Sequence, residues 1–254
     1  MRTRSLPLPW LEPGEAFPPV SQAWGPGSEA PGLLAAGGSL DVDSLRRAYA
    51  HGIFPWFSTG QPILWWSPEP RMVLEVHRFR LHRSLRKALQ KFISTPGCEI
   101  RFDSAFEQVI TACAGSPREG QDGTWIVPPM VQAYSELHRA GHAHSVETWI
   151  DGQLMGGLYC VALGQAVFGE SMFTRATDAS KIALAALVAF SRQHGITMID
   201  CQQNTQHLAS LGAHEIPRVD FLRHITASQA QAGPRWHFDP LYWRELMMAP
   251  AEST

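Results

Sequence analysis

Between Tyr49 and Val73 the chain reads YAHGIFPWFSTGQPILWWSPEPRMV. These twenty-five residues hold three tryptophans, two phenylalanines and four prolines. Proline has no amide hydrogen to give to a helix or a sheet ladder, so a segment interrupted this often is not expected to form a long helix or a central strand. The prediction is a rigid, irregular platform of flat side chains. Two uses compete for it. Aromatic rings carry large burial energies, which suits a plug between two lobes. The same rings at a surface would stack on a nucleobase.

Composition narrows the setting. With 254 residues the chain is long enough for one large domain or two smaller ones. Apolar residues at 44% and charged residues at 17% give an ordinary globular balance. The net charge of −2 means that any nucleic-acid surface has to be local. Cys98, Cys113, Cys160 and Cys201 form no CxxC pair. No metal site or disulfide framework is expected, and free thiols suit a reducing cytosol. No apolar run reaches the ~20 residues of a membrane span, and Pro7, Pro9 and Glu12 interrupt anything resembling a signal segment. The expectation is a cytoplasmic protein with no membrane partner.

Residues 1 to 38 are rich in Pro and Gly and read mostly as extended or looped chain anchored by Trp10, Phe17 and Trp24. Asp41 or Asp43 is placed to cap a helix that ends at Gly52. After the platform, residues 72 to 76 alternate like a strand. Residues 77 to 92, HRFRLHRSLRKALQKF, carry six basic side chains and no acid. Leu81, Leu85, Leu89 and Phe92 recur at helical spacing, so one side anchors while Arg80, Arg83, Arg86 and Lys87 face outward. Such a run is either a solvated helix face or a phosphate-binding surface. Strand 98 to 103, helices 104 to 114 and 130 to 140, and a flexible loop before Trp125 follow. Two β-like runs then meet across Asp151-Gly152, a strong hairpin signal. A third strand, 166 to 173, leads to a long apolar helix, 179 to 194, that Asp178 is placed to cap. The buried strand ITMIDC and a helix over 219 to 232 complete the order. The class is α+β, with a meander and a crossover.

Three polar residues break apolar strands. Glu170 interrupts AVFGESMF, and Asp200 and Gln202 close ITMIDCQ. A buried acid needs a partner, so Glu170 is either a structural ion pair or a proton-handling group in a cleft. Polar groups at the carboxyl end of a buried strand sit where open sheets bind ligands. Asp200 would hold the Gln202 amide, and Gln202 would accept from an incoming amine. Cys201 lacks a paired histidine and reads poorly as a nucleophile. His142 and His144 share a strand face without a third metal ligand. Gln153 to Gly157 approaches the coenzyme A acyltransferase pattern, but Leu158 breaks its last position.

Taken together, GLLAAGGSL, AYAHGIFPWFS, PILWWSPEPR, DGTWI, AYSELHRAGHAHSVE, FGESMF, ASKIAL, IDCQ and HLASLGAHEIPR resemble the leucyl/phenylalanyl-tRNA–protein transferase family, in its order and over nearly the whole chain. The resemblance implies a small N-terminal α/β domain (1–70) followed by an acetyltransferase-like (GNAT-type) domain with a mixed central sheet (71–254). It implies transfer of Leu, Phe or Met from aminoacyl-tRNA to the α-amino group of proteins that begin with Arg or Lys, which marks them for N-degron degradation. A monomer without metal or coenzyme is expected. Trp56 and Trp125, with Tyr49, would hold the terminal adenosine of the tRNA. Leu158, Val167, Phe168, Met172, Leu184, Leu187 and Ile199 would form the side-chain pocket, although Val167 and Leu187 replace expected phenylalanines. Glu170, Asp200 and Gln202 would serve the acceptor amine, and Arg80, Arg83, Arg86 and Lys87 the tRNA phosphates. The competing functions are a coenzyme A-dependent N-acyltransferase and a non-catalytic tRNA-binding module.

Overall fold

A computed structural model describes residues 8–116 and 126–247. Its first part is a small four-stranded sheet. The strands are β1 (Trp10–Leu11), β2 (Leu33–Gly37), β3 (Phe54–Pro55) and β4 (Leu64–Trp66), in the order β1-β2-β4-β3. The extended chain expected in the proline-rich start includes β2, which is buried along its whole length. One expectation is corrected here. The platform does supply an interior strand, β4, paired with β2 on one side and β3 on the other. Prolines permit this because Pro62 and Pro68 lie outside the three paired residues, while Pro55 sits on the edge strand. Trp65 is fully buried, and its indole N–H donates to the Gly37 carbonyl at 2.9 Å. Phe17 packs edge-on against the same indole.

Helix α1 (Val42–Ala50) joins β2 to β3. Asp41 caps it by accepting from the Ser44 amide at 2.9 Å. Gly52 follows with φ +72°, a left-handed conformation that ends the helix. A Cβ there would press on Leu222 and Phe221 within 3 Å, so the turn also needs the missing side chain for packing.

The second sheet has seven strands: β5 (Arg71–Glu75), β6 (Cys98–Phe102), β7 (Ala143–Ile150), β8 (Gln153–Leu163), β9 (Ala166–Thr174), β10 (Met198–Gln202) and β11 (His214–Ile216). Their order is β11-β5-β10-β9-β8-β7-β6. Every neighbouring pair is antiparallel except β9 and β10, which are parallel. The β7–β8 hairpin turns on Asp151 and Gly152, both at positive φ, as a two-residue turn of this kind requires.

Among the described residues seven further α-helices follow: α2 (Arg83–Ser94), α3 (Phe106–Ala114), α4 (Pro128–Arg139), α5 (Ala179–Gln193), α6 (Gln206–Ser210), α7 (Arg218–Gln229) and α8 (Arg244–Met247). Strand alternation sends neighbouring residues to opposite faces of the large sheet. Tyr159, Phe168 and Met198 join Tyr49, Tyr134 and Phe221 in one core. Leu158, Val167 and Ile199 join α2 and α5 in the other.

Three further expectations need adjustment. Helix α2 starts only at Arg83, so Arg80 lies in the preceding connection, where its amide donates to the Leu211 carbonyl. Asp178 precedes α5 in a left-handed conformation and makes no cap, but pairs with Lys181 at 2.8 Å. Strand β11 was not anticipated, because three residues are too few for alternation to show.

Candidate active site

Strands β9 and β10 run side by side only at Ile199↔Val167 and Asp200↔Phe168, and beyond these pairs they part. Each carries an irregularity at that point. Against β8, Glu170 is an extra residue between Gly169 and Ser171; against β5, Cys201 is extra between Asp200 and Gln202. A bulge breaks the two-residue alternation and re-aims the side chains after it. Glu170 therefore joins the Tyr49 side, while Met172 turns to the α5 side. Gln202 adopts φ +58°, unusual for a residue with a side chain.

The parted strands border a cavity of about 410 Å³. Trp56, Glu170 and Gln202 all line it. Leu158, Met172, Leu184, Leu187 and Ile199 supply apolar wall, and His207 and Leu208 of α6 line it as well. A volume of this order, mostly apolar with a few convergent polar groups, suits a small ligand group.

The polar centre is a connected network. Glu170 Oε1 accepts from the Tyr49 hydroxyl at 2.7 Å and from the Gln202 amide at 2.9 Å. Tyr134 bonds the Tyr49 hydroxyl and lies 3.4 Å from Glu170 Oε2. Glu170 borders the cavity, yet its carboxyl group is packed among protein atoms. That burial, reinforced by the nearby Asp200 charge, outweighs the hydrogen bonds and raises its pKa from 4.5 to about 8. Burial beside Glu170 also holds both tyrosines well above the usual phenol range, so they remain donors.

Asp200 is differently placed from what its position suggested. It borders the cavity, but its side chain is only 1% exposed. Arg71 grips both oxygens, at 2.8 and 2.6 Å, and the Gln202 backbone amide donates to Oδ1 at 3.0 Å. Both carboxylate oxygens are thus engaged by groups of the protein itself. Neither Arg71 nor Tyr134 was anticipated. A signal did exist for the first: RMVLE and MIDCQ are apolar strands that each contain one buried charge of opposite sign.

Other anticipated site residues are sorted by the sheet. Trp56 lines the cavity, its backbone amide held by the Leu64 carbonyl and its ring beside Trp66. Tyr49 is fully buried and cannot stack on a nucleobase; it serves as a donor to Glu170. Phe168 does not line the pocket, because it points to the opposite face and packs on Tyr49 at 5.1 Å. Val167 is buried on the α5 side behind the cavity wall. Trp125 lies outside the described residues. Burial pushes the Cys201 thiol far up, which disfavours a thiolate nucleophile. His144 donates to Asp103 at 2.8 Å and stacks on Trp236. A Cβ on Gly156 would overlap Ala179 of α5, so close helix packing accounts for that glycine without a phosphate.

The basic segment borders this site through α6. The His82 ring meets the Ser210 carbonyl at 2.7 Å, and the Arg80 amide binds that of Leu211. Arg83 and Lys87 are exposed and Arg86 half-buried on the first turns of α2.

A mixed sheet with one parallel pair that opens over an apolar, carboxyl-bearing cavity defines a protein of α+β class with a ligand-sized site at the strand opening. Comparison with known proteins is more specific. Residues 73–226 match the leucyl/phenylalanyl-tRNA protein transferase family, and residues 38–69 match its N-terminal domain. The leucyl/phenylalanyl-tRNA–protein transferase of Albidiferax ferrireducens is 65% identical over 254 residues, the full length of both chains. Those of Polaromonas sp. and Leptothrix cholodnii are 66% and 59% identical over 243 residues, covering 96% and 94% of this chain and 95% of each relative. The chain belongs to the leucyl/phenylalanyl-tRNA–protein transferase family. Solved structures are more distant: FemX aligns over 69% of this chain and 66% of its own (TM-score 0.44, 11% identity). A GCN5-related N-acetyltransferase from Kribbella flavida aligns over 67% and 59% (TM-score 0.33, 12% identity).

Proposed function

We propose that this chain transfers Leu, Phe or Met from aminoacyl-tRNA to the α-amino group of proteins beginning with Arg or Lys, acting as a cytoplasmic monomer. Such a product would enter N-degron degradation. Among the described residues no helix is long and apolar enough to cross a membrane. Residues 1–70 serve as the platform for the tRNA end, and residues 71–254 carry out transfer.

The observation that carries this reading is the hydrogen bond from Gln202 to Glu170 across the gap between β9 and β10, above an apolar pocket. In the reaction the amine nitrogen attacks the ester carbonyl carbon. The bond from that carbon to the ribose oxygen breaks, the amine nitrogen gives up a proton, and the leaving ribose oxygen takes one up to become a hydroxyl. The donor is already activated, so positioning and charge stabilisation supply most of the help.

The residues divide this work. The aminoacyl side chain rests against Leu158, Met172, Leu184, Leu187 and Ile199, and Trp56 stacks on the terminal adenosine. The Gln202 amide is anchored by its N–H to Glu170, which leaves its oxygen to accept an N–H from the attacking amine. An α-amino group has a pKa near ~8, so a carboxyl titrating in the same range exchanges a proton with it at little cost. Approach of the substrate's positive charge favours the ionised carboxylate at the moment it is needed.

The tRNA acceptor stem lies along Arg80, Arg83, Arg86 and Lys87. No acid occupies the first turn of α2, and Arg83 is its first residue. Cations at a helix N-terminus oppose the helix dipole, a local cost that a bound phosphate would reverse. Incubation with radiolabelled Phe-tRNA and peptides beginning with Arg or Ala tests the proposal. Label is expected on the Arg peptide alone; no labelling of it would refute the reading.

A further inference from the structure

Arg71 is fully buried, and no substrate group can reach it. Its guanidinium lies between the rings of Phe54 and Phe221, at 4.9 and 4.5 Å from their centres. Nε and Nη2 form two parallel bonds to Asp200, and Nη1 donates to the Gly52 carbonyl at 3.1 Å. Stability alone does not call for this arrangement. A buried ion pair loses about as much on desolvation as it gains by attraction, and an apolar pair of similar volume is often as stable.

The positions of its partners supply a second reason. Asp200 Oδ1 also accepts from the Gln202 amide, and so holds the bulge and the left-handed backbone that aim the Gln202 side chain at Glu170. The Gly52 amide bonds the carbonyl of Tyr49, whose hydroxyl donates to Glu170 from the other side. The contacts thus form a closed ring, from Arg71 through Asp200, Gln202, Glu170, Tyr49 and Gly52 back to Arg71. One arm comes from β10 of the large sheet, the other from α1 and the turn that follows it. Only a planar fork with several donors can hold both arms together, which a lysine ammonium cannot reproduce.

We infer that Arg71 is a positioning residue for aminoacyl transfer, which fixes Gln202 and Tyr49 so that both meet Glu170. The inference rests on the reading that Glu170 and Gln202 form the amine site. Arg71→Lys is expected to lower kcat by about 100-fold, the scale of a 1 Å misplacement, with KM for aminoacyl-tRNA changed by less than about twofold. In a Gln202→Ala background the same substitution is expected to cost at least about tenfold less, because one of the two groups it positions is gone and only the Tyr49 arm remains. An equal loss in both backgrounds, or no loss in either, would overturn the inference.

One readout is independent of activity. The Gln202 side-chain amide, assigned by its absence from the Gln202→Ala spectrum, is expected to exchange slowly in the native protein and to lose that protection in Arg71→Lys. Retained protection would overturn the inference even if transfer is confirmed. If the native protein transfers nothing, the functional reading fails, and the amide signal still decides whether Arg71 holds Gln202. Should Arg71→Lys not fold, Arg71→Met with Asp200→Leu keeps the core filled without charge, and its Gln202 amide is read in the same way.

Discussion

The side-chain amide of Gln202 donates to Glu170 Oε1 over 2.9 Å, although the two residues are 32 positions apart and lie on strands that have stopped pairing. That bond spans the opening in the sheet and joins the two strand irregularities. It places an amide, a buried carboxyl and two tyrosine hydroxyls beside one apolar cavity.

The buried carboxyl makes stability depend on pH in a defined direction. Between pH 4.5 and about 8 the folded protein retains a proton on Glu170 that the unfolded chain has released. Raising the pH through that window therefore removes stability. Glu170→Gln lacks the titration. Relative to the native protein, the variant is expected to gain on the order of 3–5 kcal/mol between pH 5 and pH 8.5, measured by urea unfolding. Parallel curves for the two proteins would contradict the assignment.

Much of the fold was legible in the sequence because local chemistry decides it. Asp151-Gly152 fixed one hairpin, and the apolar run from Ala179 marked α5. The interior strand β4 was hidden because three residues carry no period, and the prolines around it argued the other way. In the site, Glu170, Gln202 and the leucines stood out as polar breaks or matched stretches. Their supports did not. Arg71 and Asp200 are 129 residues apart, and Tyr134 sits on the inner face of a helix, where an aromatic ring reads as core. The assignment of Phe168 to the pocket overlooked alternation: Val167 and Phe168 are neighbours, so only one of them can face α5.

Tyr49 should matter through its hydroxyl rather than its ring. Tyr49→Phe removes a bond that favours the charged form of Glu170. The Glu170 titration is expected to move higher, and stability to fall by about 1–3 kcal/mol as buried partners lose their donor. Unfolding of this variant across the same pH range checks both. A titration unchanged in position would show that the hydroxyl does not act on Glu170.

The cavity wall sets what the pocket accepts. Leu187 lines it from α5. Leu187→Trp fills more of the space than the phenylalanine the resemblance expects there, and Phe transfer is expected to fall at least about 10-fold relative to Leu transfer, since crowding of this kind is worth ~1–3 kcal/mol. Competition between Leu-tRNA and Phe-tRNA measures the ratio. An unaltered ratio would place the side chain elsewhere.

The cation-rich start of α2 predicts a salt effect. Each phosphate contact contributes about 0.7–0.9 to the slope of log affinity against log salt concentration. Arg83→Ala with Arg86→Ala is therefore expected to flatten the slope for tRNA binding by about 1.5. An identical slope would remove these side chains from the tRNA surface.

The most direct measurement is a crystal structure with a non-hydrolysable phenylalanyl-adenosine amide. The phenyl ring is predicted to lie within about 4 Å of Leu158, Leu184 and Leu187, with the adenine on Trp56 and the acyl carbonyl beside Gln202. An analogue bound outside this cavity, or one with its side chain turned to solvent, would contradict the account.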